Sequence, residues 1–148
     1  MTPNRPDLKR LFNPKSIAVI GASNREGSIG RIIFERLIPS LRKLYPVHPR
    51  ETAILGHEAY ADIAALPAGI DIAIIATGAA TSVEAAEACA ARRIPFLIIV
   101  AGGFGETGPQ GKQLETRLKK LAHQSESRIL GPNSLGIFNP RERLDTIF

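Results

Sequence analysis

Tryptophan is absent from this chain of 148 residues, tyrosine occurs only 2 times and cysteine 1 time. The lone Cys89 excludes an intramolecular disulfide and any multi-cysteine metal site, and so low a thiol content fits a reducing cytoplasm. It sits in EAAEACAARR, a small-residue helical stretch where a free cysteine acts as a buried small hydrophobe. The opening MTPNRPDLKRLFNPK lacks the apolar segment of a signal peptide, and no run approaches the roughly 18 apolar residues of a membrane span. A cytoplasmic protein with no membrane partner is expected. Repeats and biased tracts are missing too, which excludes fibrous, solenoid and disordered classes. Aromatics are scarce, basic residues are scattered, and no helix-turn-helix, zinc-finger or RNP-like signature occurs, so no nucleic-acid partner is expected.

What is present is the balance of an ordinary soluble globular protein, with 44% hydrophobic and 22% charged residues. A chain of this length buries roughly two thirds of the surface that its unfolded form exposes. One domain over residues 1–148 is expected, with residues 1–10 as an N-terminal extension. The 19 Lys and Arg against 14 Asp and Glu leave a net charge of +5, which suits a small phosphorylated ligand and equally a solvated basic surface.

SIAVI (16–20), IDIAIIAT (70–77) and PFLIIV (95–100) are short runs rich in Ile and Val, bounded by Pro, Gly or polar residues. They read as strands of a parallel sheet buried on both faces. KLYPVHP is a weaker strand candidate, since Pro46 suits a strand start or an edge, and RIL before GPNSLGIF makes a further short strand and turn. Helical spacing relates Ile29, Ile32, Ile33 and Leu37 ahead of Pro39, then Val83, Ala86 and Ala90, then Leu114, Leu118 and Leu121 behind Pro109. YADIAALP reads as a short helix before the third strand. The alternation predicts an α/β fold with a doubly wound parallel sheet, Rossmann-like, whose ligands bind beyond the carboxyl ends of the strands.

The first strand runs into GASNREGSIG. Gly21 allows a tight turn, Ala22 follows, Ser23 and Asn24 are short polar groups, and Gly27 and Ser28 lead into a helix whose free N–H groups favour an anion. Ser28 is the expected N-cap, with no capping box because Arg31 stands at the third helical position. A strict GxGxxG would need glycine at 23 and 26, where Ser23 and Glu26 stand, so the turn is longer and carries Arg25. Arg25 reads either as a bidentate phosphate donor or as a solvated loop arginine.

The second strand is followed by VHPRE. His48, Pro49 and Arg50 bring basic groups to a place where NAD-binding domains usually keep an acid, and they point to a ribose phosphate, with Glu51 as the counter-reading. NADP and CoA both carry such a phosphate. Thr77 and Gly78 end the third strand, with Thr81 or Ser82 as helix cap. Gly102, Gly103 and Gly105 follow the fourth, as a backbone approached by ligand or as a flexible loop. Pro132 and Asn133 make a turn after the fifth.

LFNPKSIAVIGAS, GSIG, YPVHPR, AGGFGETG and GPNSLG occur in this order, and together they resemble the N-terminal CoA-binding domain of the NDP-forming acyl-CoA synthetases. That family includes ADP-forming acetyl-CoA synthetases and is similar to the alpha subunit of succinyl-CoA ligase. The resemblance runs from about Leu11 to Phe148 and implies a CoA or acyl-CoA site. Gly21, Ser23, Asn24, Arg25, Gly27 and Ser28 match the loop that holds the CoA phosphates, and Pro49 and Arg50 the segment near the adenosine. Thr77, Gly78, Gly102, Gly103 and Phe104 match loops flanking the nucleotide and pantetheine arm, and Asn133 and Ser134 the motif near the thiol.

Two departures matter. Ser134 stands where the family often has cysteine, a form that resembles the branch fused to a protein lysine acetyltransferase. The synthetases also carry a phosphorylated histidine in a following domain, and His48, His57 and His123 do not match its position. The resemblance thus implies a nucleotide-binding module of a longer multidomain protein, working with downstream synthetase domains or a subunit and not catalytic alone. An NADP-binding oxidoreductase domain and a CoA-sensing regulatory module stand as alternatives, the former without a Tyr/Lys hydride-transfer pair.

Overall fold

The computed structural model describes residues 4–148. Five parallel strands form its sheet: β1 (Ser16–Ile20), β2 (Lys43–Val47), β3 (Ile72–Ile75), β4 (Phe96–Ile99) and β5 (Arg128–Leu130). Their spatial order is β2-β1-β3-β4-β5. The chain leaves β1 for β2 on one side and returns to β3 on the other, so a crevice opens beyond the carboxyl ends of β1 and β3.

β1, β3 and β4 are buried at every position, as their unbroken Ile- and Val-rich runs require. Alternate residues feed two cores. Ala18, Ile20, Ala73, Ile75, Leu97 and Ile99 pack with Val83, Ala86, Cys89 and Leu118 from two helices, α3 (Ala79–Ala91) and α4 (Pro109–Gln124). On the opposite face Ile17, Val19, Ile72, Ile74, Phe96 and Ile98 pack with Ile33, Phe34 and Leu37 of α2 (Ile29–Leu37). Pro109 opens α4 within its first turn, as expected. β2 is an edge strand, as Pro46 demands; its outer side is met by Tyr60, whose N–H donates to the Pro46 carbonyl at 2.9 Å.

Two local expectations need correction. YADIAALP yields only one 3₁₀ turn, Ile63–Ala65, because Pro67 follows too soon for a helix to repay its nucleation. Thr81 and Ser82 lie inside α3 and Gly78 takes the N-cap position; the buried Ser82 hydroxyl instead donates to the Thr77 carbonyl at 2.9 Å.

The expected N-terminal extension docks on the domain through its described residues. Arg5 donates to the carbonyls of Ala122 (2.9 Å) and Ser127 (3.3 Å), and a helical turn, α1 (Lys9–Phe12), carries Arg10 to the nearly buried Asp71. The chain closes with a hairpin of Phe138–Asn139 against Leu144–Asp145 that covers α2 with Leu144.

Candidate functional site

The crevice is framed by bare backbone. Gly21 has φ +86°, donates to the Val47 carbonyl (3.0 Å), and has no room for a side chain: a Cβ there would lie 2.6 Å from the Ala76 oxygen. After it the loop folds on its own polar groups. Ser23 Oγ accepts from Arg25 N (3.0 Å), and Ser28 Oγ donates to the Arg25 carbonyl (2.8 Å) and caps α2 by accepting from Arg31 N (3.4 Å). Apart from the capped Arg31 N, the first N–H groups of α2 have no intrahelical partner, and they belong to Ile29 and Gly30, which line the crevice. α3 begins beside it at Gly78 with no side-chain cap, so a second helix amino end meets the same space.

The resulting cleft holds about 880 Å³ and is lined by Gly21, Ser23, Arg25, Gly27, Ser28, His48, Pro49, Arg50, Thr77 and Gly78, all candidates from sequence. Ile29, Gly30, Glu51, Ala76, Val100 and Ala101 line it as well. Gly30 was legible in the GSIG run and Glu51 in VHPRE, whereas Ile29, Ala76, Val100 and Ala101 are apolar surfaces that only the strand and helix ends reveal. Arg25 and Arg50 use their backbone N–H groups locally, toward Ser23 Oγ and His48 Nδ1, while among the described residues their guanidinium groups meet no protein acceptor. His48 Nδ1 also accepts from Glu51 N (2.9 Å), which places the ring proton on Nε2 and turns the loop tightly.

The other candidates stand elsewhere. Ala22 is fully buried against α2. Asn24 has its side chain bonded to Glu51, to the Ala53 carbonyl (2.8 Å) and to Leu55 N (2.9 Å). Phe104 is 1% exposed in the core, so its ring is offered to no ligand. The glycine loop before it is held by Glu106, whose carboxylate accepts from Gly103 N at 2.6 Å. Backbone N–H groups of Glu106, Gly103 and Phe104 keep that carboxyl below the usual carboxylate range. Gly102 faces Asn133, whose side-chain oxygen lies 3.5 Å from where a Cβ of Gly102 would stand. Asn133 N donates to the Ala101 carbonyl (2.8 Å) and Ser134 N to that of Ile99 (3.2 Å). These two residues thus adjoin the Val100–Ala101 wall and do not line the cleft itself.

His57 packs edge-on against Phe34 with ring centroids 5.3 Å apart. Among the described residues no His, Cys, Asp and Glu cluster suits a metal, and no helix is long and apolar enough to cross a membrane.

A doubly wound parallel sheet with a cleft at its switch point, met by two helix amino ends, defines a domain of the Rossmann-like class. Residues 15–140 match the family described as CoA binding domain, and the chain belongs to that family. It is 39% identical to ADP-forming acetate–CoA ligase II of Archaeoglobus fulgidus over 97% of its own length and 22% of that protein. The alpha subunit of ADP-forming acetate–CoA ligase II of Pyrococcus furiosus is 37% identical, with 95% of this chain and 31% of that one covered. A dinucleotide-forming acetyl-coenzyme A synthetase 1 from Candidatus Korarchaeum cryptofilum, solved with phosphate and ADP, superposes with a TM-score of 0.88 at 32% identity. It covers 95% of this chain and 30% of that one. The chain spans about a third or less of the length of these relatives.

Proposed function

We propose that the chain binds CoA or acyl-CoA in this cleft, as the nucleotide-binding module of an ADP-forming acyl-CoA synthetase-like protein. The observation that carries the reading is the pair Arg25 and Arg50, two guanidinium groups without a protein acceptor among the described residues, in a cleft that receives two helix amino ends. Phosphates supply the acceptors that such a site lacks, and charge-assisted bonds to them are about twice as strong as neutral ones.

In this reading Gly21, Ser23, Gly27 and Ser28 bring backbone and hydroxyl donors to the CoA pyrophosphate, with Arg25 beside them. His48, Pro49 and Arg50 take the adenosine and its ribose phosphate. Thr77 and Gly78 border the nucleotide, Gly102 and Gly103 lie toward the pantetheine arm, and Asn133 and Ser134 toward the thiol. Phe104 acts only through the fold of its loop. Downstream synthetase domains or a subunit are the partners, since the relatives are about three times as long or more. Those partners would carry the exchange of acyl-CoA, phosphate and nucleoside diphosphate for acid, CoA and triphosphate. A cytoplasmic location belongs to the same reading.

Calorimetric titration with CoA, NADP and NAD tests it. CoA binding with little response to NAD is the expected result. Binding of NADP with no response to CoA assigns the cleft to an oxidoreductase instead.

A further inference from the structure

One carboxylate lines the cleft, and it is not free. Glu51 stands after β2, where an acid commonly accepts from the hydroxyls of a nucleotide ribose. Both its oxygens turn to Asn24 of the β1 loop: Oε2 accepts from the side-chain amide, and Oε1 lies 3.4 Å from the backbone N. Oε1 also faces His48 Nε2 at 3.7 Å.

Asn24 is bonded on its other sides as well. Its second amide proton goes to the Ala53 carbonyl (2.8 Å), and its Oδ1 accepts from Leu55 N (2.9 Å). Ala53–Ile54 and His57–Glu58 pair as a short hairpin whose turn holds Leu55 at φ +47° and Gly56 at φ +81°, so the amide secures a turn that places a leucine in the left-handed region. One exposed asparagine thus joins the loop carrying Arg25 to the loop carrying Arg50 and to the hairpin beyond it.

We propose that Asn24 is a positioning residue that aligns the two arginine-bearing loops and, by engaging Glu51, makes the cleft select a nucleotide phosphorylated on its ribose. The inference rests on the CoA reading of the cleft. With Glu51 engaged, its oxygens are turned to Asn24 and so are less open to the hydroxyls of an unmodified ribose, while its charge, though kept, is held at Asn24 instead of turning to the arginines that meet a ribose phosphate. Release of Glu51 reverses both conditions: it repels the phosphate and offers an acceptor to the hydroxyls.

The test is titration of CoA and 3′-dephospho-CoA into wild type, Asn24→Ala, Glu51→Gln and the double variant, each checked by thermal unfolding. Wild type prefers CoA. N24A binds CoA about tenfold more weakly and loses most of the preference, because a freed carboxylate repels the phosphorylated ligand and accepts from the ribose hydroxyls of the other. E51Q keeps the preference, since glutamine still accepts from Asn24. N24A/E51Q regains the preference while staying weaker for both ligands, the residual loss being the positioning part. Equal weakening of both ligands by N24A, no weakening, or a double variant that does not regain the preference overturns the proposal. Absence of CoA binding by wild type overturns the reading of the cleft itself and is seen before any variant is compared. Should N24A not fold, Asn24→Gln, which displaces the amide by one methylene, carries the same comparison.

Discussion

Gly30 lies against the carbonyl of Gly21: a Cβ on Gly30 would stand 1.9 Å from that oxygen. Helix α2 touches the end of β1 backbone to backbone, and this contact decides where its first N–H groups aim. Gly30→Ala must push the two apart. A loss of about 1–3 kcal/mol in urea unfolding is expected, as at other overpacked sites, together with weaker CoA binding in calorimetry. Unchanged unfolding would mean that the helix can shift without cost.

Arg25→Ala and Arg50→Ala should each weaken CoA by ~1.5–3 kcal/mol, the worth of a charged hydrogen bond to phosphate. The two are expected to differ in kind. Arg50 stands after β2, at the proposed ribose end of the cleft, so its loss should spare 3′-dephospho-CoA. Arg25 stands beside the α2 amino end, where the pyrophosphate is proposed to lie, so its loss should weaken both ligands alike. Titration of each variant with both ligands separates the roles, and an identical pattern for the two would refute the assignment.

Phe104→Ala should act on folding and not on ligand contact. The ring is buried in the core beside α4, and removing such a ring costs about 3–5 kcal/mol. Thermal unfolding is the measurement. A variant of native stability with lost CoA affinity would return Phe104 to the site.

At Phe104 the motif and the packing diverge. AGGFGETG resembles a ligand-flanking loop, yet one member serves the core, because an apolar ring beside glycines gains more from burial than from a polar ligand. Strands were legible because β1, β3 and β4 are buried on both faces and so read as continuous apolar runs. Ser28 was legible as a cap because its hydroxyl acts within its own helix turn. The bonds of Asn24 to Glu51, Ala53 and Leu55 were not, since they join segments whose meeting depends on the order of β2 and β1. Glu106 was hidden for a different reason: its partners are backbone amides, which leave no mark in residue type.

Cys89 supplies a pH prediction. Burial pushes its thiol from an ordinary 9.0 up to about 12, against the weaker pull of Arg92. The raised value means that the native chain keeps the proton while the unfolded chain gives it up. Its contribution to stability is whole below pH 9.0 and is lost as pH rises toward about 12. Unfolding midpoints measured across that window should fall more steeply for wild type than for Cys89→Ala. A thiol reagent at pH 8 should label Cys89 only after denaturation, and rapid labelling of the native chain would contradict its burial.

Pro46 has a consequence for assembly. It lies in edge strand β2, has no N–H to offer outward, and its carbonyl already accepts from Tyr60. At Pro46 an approaching strand therefore finds neither donor nor free acceptor. Extension of the sheet by a fused segment, a second copy or an aggregating neighbour is thereby hindered at the carboxyl half of β2, next to the loop that carries Arg50.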